Sequence, residues 1–116
     1  MIEKVWNKIV NKIRALLGIK VLVFDDTVEL PPDADLEKAL DAKAEGTGLK
    51  WRVSVVDFLK LLEIDSSREN RDELADELGV SAEYKSGSAE KNDALRKAVF
   101  QKLSESGGTI PPSLLD

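Results

Sequence analysis

The chain of 116 residues is 42% hydrophobic and 34% charged, the composition of one soluble globular domain. It has no cysteine and no histidine, which excludes disulfides, thiolate chemistry, the commonest general base and the commonest zinc ligand. Residues 1–23 hold five basic residues and one acid, whereas residues 24–116 hold twelve basic residues and twenty-one acids, so an acidic body argues against a nucleic-acid partner.

Residues 1–18 are predicted to form an amphipathic helix that is ended by Gly18. The apolar positions recur at helical spacing and are Ile2, Val5, Trp6, Ile9, Val10, Ile13, Leu16 and Leu17. The opposite side carries Lys4, Lys8, Lys12 and Arg14. Burying eight such apolar side chains is worth about 12 kcal/mol or more as an upper bound, so the apolar face needs a surface that covers it.

Residues 19–33 are predicted to connect this helix to the body. The run Val21–Phe24 suits an edge strand or a docking segment, and Pro31 and Pro32 argue against regular structure. A flexible connector of this length spans roughly 20–25 Å. The first helix is therefore free to fold back on the body or to extend away from it.

Residues 34–116 are predicted to form a body of four helices. The second helix runs over 34–45, with Asp33 as its N-cap and Gly46 and Gly48 at its end. The third helix is the most hydrophobic and follows a capping box from Ser54 to Asp57. Its apolar positions are Val55, Phe58, Leu59 and Leu62.

A second capping box, from Ser66 to Glu69, opens the fourth helix, and Gly79 ends it. Ser88 or Ser86 caps the fifth helix, which ends at Gly107–Gly108. The apolar tail at 110–115 is expected to close over the bundle. The fold class is thus all-α, a small five-helix domain with a long flexible loop between helices one and two.

Three stretches of the body have a characteristic amino-acid sequence and spacing. They are Leu49–Leu62 with Ile64–Ser67, Glu73–Gly79, and the C-terminal stretch from Lys102 to Asp116. Over about residues 34–116 they resemble a bacterial family catalogued as domain of unknown function 3597. The resemblance implies five helices and a flexible loop between the first two, and it implies no activity, because none is known for that family.

The residues offer little catalytic or metal chemistry. The spacing Asp33–Asp35–Glu37 begins like a calcium loop, but Lys38 and Ala44 occupy positions that need glycine and glutamate. No serine has a histidine to activate it, and no glycine-rich phosphate loop is present. We therefore expect no enzyme activity, no catalytic residue, no metal site and no cofactor.

The predicted function is that of a non-enzymatic, cytoplasmic module for protein interaction or self-association through apolar helix faces. The apolar face of helix one then meets its own body, a second copy or another protein. The alternative is a peripheral membrane protein in which Lys4, Lys8, Lys12 and Arg14 contact an anionic bilayer. Trp51 is expected in the core, although Trp51 and Arg52, after the glycines at 46 and 48, also suit a peptide-binding groove in which Arg52 meets a partner's carboxylate.

Overall fold

The computed structural model describes residues 4–17, 35–80 and 83–105. Within these ranges the chain forms five helices: α1 (Val5–Leu16), α2 (Leu36–Ala44), α3 (Val55–Leu61), α4 (Arg68–Leu78) and α5 (Ala89–Glu105). The predicted all-α, five-helix fold is confirmed. The connector at 19–33, the run at 21–24 and the tail at 110–115 lie outside the described residues, as do the predicted caps Asp33 and Gly18.

Three aromatic rings form the centre of the core. Phe100 of α5 meets Trp51 and Phe58 edge to face, with ring centroids 5.8 and 5.5 Å apart. Trp51 lies in the turn before α3 and is 2% exposed, as its predicted core role requires. All five helices contribute buried apolar side chains to this single cluster. The perpendicular ring geometry suits the quadrupoles of aromatic pairs and fixes α5 against α3.

One of the two hydrogen bonds of the predicted capping box is present at the start of α3. The hydroxyl of Ser54 accepts a hydrogen bond from the N–H of Asp57 at 3.2 Å. The carboxylate of Asp57 accepts from the N–H of Lys50 at 2.8 Å instead of from the N–H of Ser54, which donates to the carbonyl of Lys50. The reciprocal half of the predicted capping box is therefore wrong, because the preceding turn already satisfies the Ser54 N–H.

The cap of α4 lies one residue later than predicted. Ser67, not Ser66, accepts from the N–H of Asn70 at 3.3 Å. Asp65 explains the shift, because its carboxylate accepts from both the N–H and the hydroxyl of Ser67 and holds that residue at the helix start. Asn70, not Glu69, folds back, since its side-chain amide donates to the carbonyl of Asp65 at 2.6 Å.

The remaining helix ends follow local chemistry. Asp35, not the predicted Asp33, caps α2, which begins at Leu36, by accepting from the N–H of Lys38 at 3.0 Å. Gly79 ends α4 as predicted, at a φ of 75° in the left-handed region that glycine adopts without strain. Of the two serines offered for α5, Ser88 is the cap, accepting from the N–H of Lys91 at 3.1 Å.

Candidate functional site

The apolar face of α1 is covered by the chain's own body. Helix α1 packs against α4 and α2. Two further apolar residues of α1, Leu16 and Leu17, are partly buried against the core, and Ile2 lies outside the described residues. The core members from this helix are Val5, Trp6, Ile9, Val10 and Ile13. In this conformation α1 completes the core, which is one of the arrangements that its sequence pattern allows.

A carboxylate from another helix caps the start of α1. Lys4 stands at the N-cap position and supplies no side-chain cap. Glu77 of α4 accepts from the N–H of Val5 at 3.0 Å and from the N–H of Trp6 at 2.9 Å. A carboxylate at this end satisfies two otherwise unpaired donors and favours the positive end of the helix dipole. Lys102 of α5 also lies over the Trp6 ring, 5.2 Å from its centroid.

One polar side chain of α1 is buried where this helix packs against the body. Asn7 is 3% exposed, and its side-chain carbonyl has no hydrogen-bond partner among the described residues. Such an oxygen loses its bonds to water without replacing them, which costs about 1–3 kcal/mol. The packing of α1 is therefore less favourable at Asn7 than at its apolar neighbours.

The basic residues of α1 lie on its outer side. Lys4, Lys8 and Lys12 are exposed, and Arg14 is half-buried. Within the described ranges, none of the helices combines the length and the apolar content that crossing a bilayer requires. The basic side of α1 thus faces solvent while its apolar side is packed.

Trp51 and Arg52 are both engaged within the chain. The indole N–H of Trp51 donates to Asp41 at 3.1 Å, and the Arg52 guanidinium lies 4.6 Å from the Trp51 ring centroid. Arg52 also donates to Glu37 at 3.0 Å and to Asp41 at 2.6 Å. The hydrogen bond from Arg52 holds the pKa of Asp41 below its usual value, and the same contact raises the pKa of Arg52. Arg52 thereby ties the turn before α3 to α2.

The next residue, Val53, is the most exposed large hydrophobic side chain among the described residues, at 70%. It borders two open hollows, of about 520 and 280 Å³. Lys50 lines the smaller hollow and Glu90, in the first turn of α5, lines the larger one. We call Val53 and these two hollows the Val53 surface. Sequence patterns single out Trp51 and Arg52 nearby but miss Val53, because periodicity carries no information about which turn residue faces solvent.

Backbone hydrogen bonds hold the turn that carries Val53. The N–H groups of Val53 and Ser54 both donate to the carbonyl of Lys50, at 3.2 and 3.1 Å. Arg96 of α5 donates to the carbonyl of Arg52 at 3.1 Å. Val53 is therefore exposed on a turn whose backbone is held by hydrogen bonds to Lys50 within the turn and to Arg96 of α5.

Most charged residues around the Val53 surface are paired. Asp93 on α5 pairs with Arg96 and with Lys97, and the contact with Arg96 lowers the pKa of Asp93. By contrast, Lys50 and Glu90 are exposed and form no ion pair with the described residues. The surface thus offers one cation in its smaller hollow and one anion in its larger hollow.

A serine, an aspartate and a lysine meet between α4 and α5. Asp72 accepts from the hydroxyl of Ser86 at 2.6 Å and from the ammonium of Lys91 at 2.9 Å. These contacts, that of Ser86 first, lower the pKa of Asp72. A carboxylate with a lowered pKa is a weak base, so this arrangement positions the loop before α5 better than it activates a hydroxyl. No group of three or more acidic side chains within the described residues is placed to hold a metal ion.

The comparison with known proteins gives one family. The model of the family described as Domain of unknown function (DUF3597) matches residues 25–111. The matched range begins and ends earlier than the range of about 34–116 over which the sequence resembles this family. It contains the Val53 surface but not α1. No curated protein and no solved structure matches the chain. The chain therefore belongs to the family of domain of unknown function 3597.

Proposed function

We propose that this chain is a non-enzymatic helical module that acts by binding protein through apolar side chains on its helical body. The observation that carries the proposal is Val53, which is 70% exposed on a turn held by hydrogen bonds to α5 and to Lys50. Because hydrogen bonds already hold the backbone of this turn, little backbone entropy is lost when a partner covers Val53. A few residues near the centre of a protein interface contribute most of its free energy, and Val53 is the most exposed large hydrophobic side chain among the described residues.

The chemistry of the described residues supports the non-enzymatic part of the proposal. The arrangement closest to a catalytic one joins Ser86 to Asp72, and the lowered pKa of Asp72 makes it a weak base. Lys91 is bound to the same carboxylate and is thereby held in an ion pair. These three residues act as a clamp between α4 and the loop before α5.

In this proposal α1 stabilises the domain and the Val53 surface binds the partner. Releasing α1 would expose five buried apolar side chains, each worth about 1.5–3 kcal/mol of burial as an upper bound. Covering Val53 needs no such rearrangement, because the side chain already faces solvent. Binding at Val53 is therefore less costly than binding through the apolar face of α1.

Affinity capture with the full-length chain tests the proposal. We expect the immobilised wild-type chain to retain labelled copies of itself or a protein from an extract of its native cells, and Val53→Glu to retain neither. Gln101→Glu is the matched control, since it adds the same charge at an exposed position on α5. Equal retention by the wild type and Val53→Glu would contradict the proposal.

A second candidate function, attachment to an anionic membrane surface, is favoured by the basic side of α1. Lys8 and Lys12 are exposed there and form no ion pair with the described residues. Because the apolar side of α1 is packed, a docked α1 offers charge alone, and salt should weaken such binding strongly.

Sedimentation with phosphatidylglycerol vesicles at two salt concentrations tests this candidate. In the docked arrangement, Lys8→Gln with Lys12→Gln should reduce binding, and the fluorescence of Trp6 should stay unchanged. A change in the tryptophan fluorescence on binding would indicate that Trp6 leaves the core, as release of α1 into the bilayer interface requires. No binding to these vesicles at low salt would contradict the candidate.

A further inference from the structure

We propose that the Val53 surface pairs with the same surface of a second copy of this chain, around a two-fold axis. This inference rests on the proposed function of protein binding and names the partner. It is carried by the position of Val53 beside two hollows, one lined by Lys50 and the other by Glu90, neither of which has an ion pair among the described residues.

The charged residues near Val53 differ in whether they have an ion-pair partner. Asp41 lines the smaller hollow and is held by Arg52, and Asp93 lines the larger hollow and is held by Arg96. Lys50 and Glu90 remain without an ion pair among the described residues. Val53 borders both hollows, and each hollow has one of these two charged residues in its lining.

Symmetry supplies the second step. A two-fold interface is self-complementary, so that residue i of one copy meets residue j of the other and the reverse. An axis that passes near Val53, at a right angle to the line from Lys50 to Glu90, brings Lys50 of each copy to Glu90 of the other. A surface that carries a charge and its complement on opposite sides of an apolar centre therefore fits its own copy.

The apolar centre is the third step. Beside Val53, the hollows are lined by the partly buried side chains of Ala44, Leu49 and Val56. In the two-fold arrangement the Val53 side chains of the two copies meet close to the axis, beside the hollows of both copies, and two ion pairs lie at the rim. An apolar centre with a charged rim is the usual anatomy of a protein interface. The contact is small, so we expect dissociation constants on the order of 10 µM to 1 mM.

Sedimentation equilibrium of the full-length chain and a charge-reversal series test the inference. The wild type should form a reversible dimer that salt weakens. Lys50→Glu and Glu90→Lys should each raise the dissociation constant about tenfold or more, since each replaces two attractions with two repulsions. The double variant should return to within about threefold of the wild type, because it restores both pairs with their signs exchanged.

Two further variants complete the series. Val53→Glu should abolish the dimer, and Gln101→Glu should leave it unchanged. Thermal unfolding at low protein concentration verifies that each variant is folded, which is expected because all four positions are exposed.

Three results would overturn the inference. They are a wild type that stays monomeric at millimolar concentration, a dimer that survives Val53→Glu, and a double variant no tighter than the single ones. A monomeric wild type would still leave the capture of another protein at Val53 intact, so failure of this inference is distinguishable from failure of the proposed function.

Discussion

Glu77 of α4 caps the first turn of α1 through the N–H of Trp6, at 2.9 Å, across 71 positions of sequence. Its second carboxylate oxygen accepts from the N–H of Val5 at 3.0 Å. One side chain thus does for α1 what a local Ser or Asp does for α2, α3 and α4. The consequence is that the first turn of α1 depends on its packing against α4.

Removing this cap should loosen α1. We expect Glu77→Ala to lower the free energy of unfolding by about 1–2 kcal/mol, the range for lost N-caps. Glu77→Gln, which keeps one acceptor oxygen, should cost less. Urea unfolding measures the change, and the NMR signal of the Trp6 indole reports the local environment. Glu73→Ala is the control, since Glu73 lies exposed on the same helix, and an equal loss in both alanine variants would contradict the cap.

Replacing Asn7 by an apolar residue should strengthen the packing of α1 against the body. The carbonyl of Asn7 is buried without a partner among the described residues, so Asn7→Leu should raise the free energy of unfolding by about 1–3 kcal/mol. Asn7→Asp should lower it, because a buried unpaired charge costs more than a buried amide. Urea unfolding of the two variants gives opposite signs if this reasoning is correct. A loss of stability in Asn7→Leu would show that the amide has a partner in solution.

Acid should destabilise the domain at a defined pH. The pKa values of Asp41, Asp72 and Asp93 are lowered in the folded chain by their hydrogen bonds to Arg52, Ser86 and Arg96, respectively. The unfolded chain therefore takes up protons at a higher pH than the folded chain. The stability contributed by these groups is fully present above about pH 4, near the ordinary pKa of aspartate, and is lost as the pH falls through the lower folded values.

Urea unfolding over a pH series measures this dependence. The decrease below about pH 4 should be shallower in Asp72→Asn, which cannot titrate at that position. Between about pH 5 and pH 8 the stability should stay nearly constant, since the chain has neither histidine nor cysteine. A decrease that begins near neutral pH would contradict this assignment.

Phe100 should be among the most sensitive positions of the core. Its ring meets both Trp51 and Phe58 edge to face, so Phe100→Ala should cost about 3–5 kcal/mol and abolish much of the near-ultraviolet signal of Trp51. Val53→Ala is the matched surface control and should change the free energy of unfolding by less than about 0.5 kcal/mol. Similar losses in the two variants would mean that Val53 is packed in solution.

The helical elements were predictable because the signals that specify them are local. Apolar spacing predicts α1 and α3, while Ser54 marks the start of α3 and Gly79 the end of α4 through contacts within a few residues. The capping predictions for α3 and α4 were partly wrong because nearby donors and acceptors compete for the same hydrogen bonds. Asp65 moves the α4 cap to Ser67. Lys50 pairs with both the Asp57 carboxylate and the Ser54 N–H, so the reciprocal bond of that capping box does not form.

Local patterns along the chain were enough to predict the helical class, the core role of Trp51 and the apolar face of α1, because periodicity and capping depend on neighbouring residues. Helix packing, in contrast, brings α2 and α4 over this face, places Glu77 at the start of α1 and leaves Val53 exposed beside Lys50 and Glu90. Those relationships join residues up to 72 positions apart. They arise from the packing of helices against one another, for which local sequence spacing holds no signal.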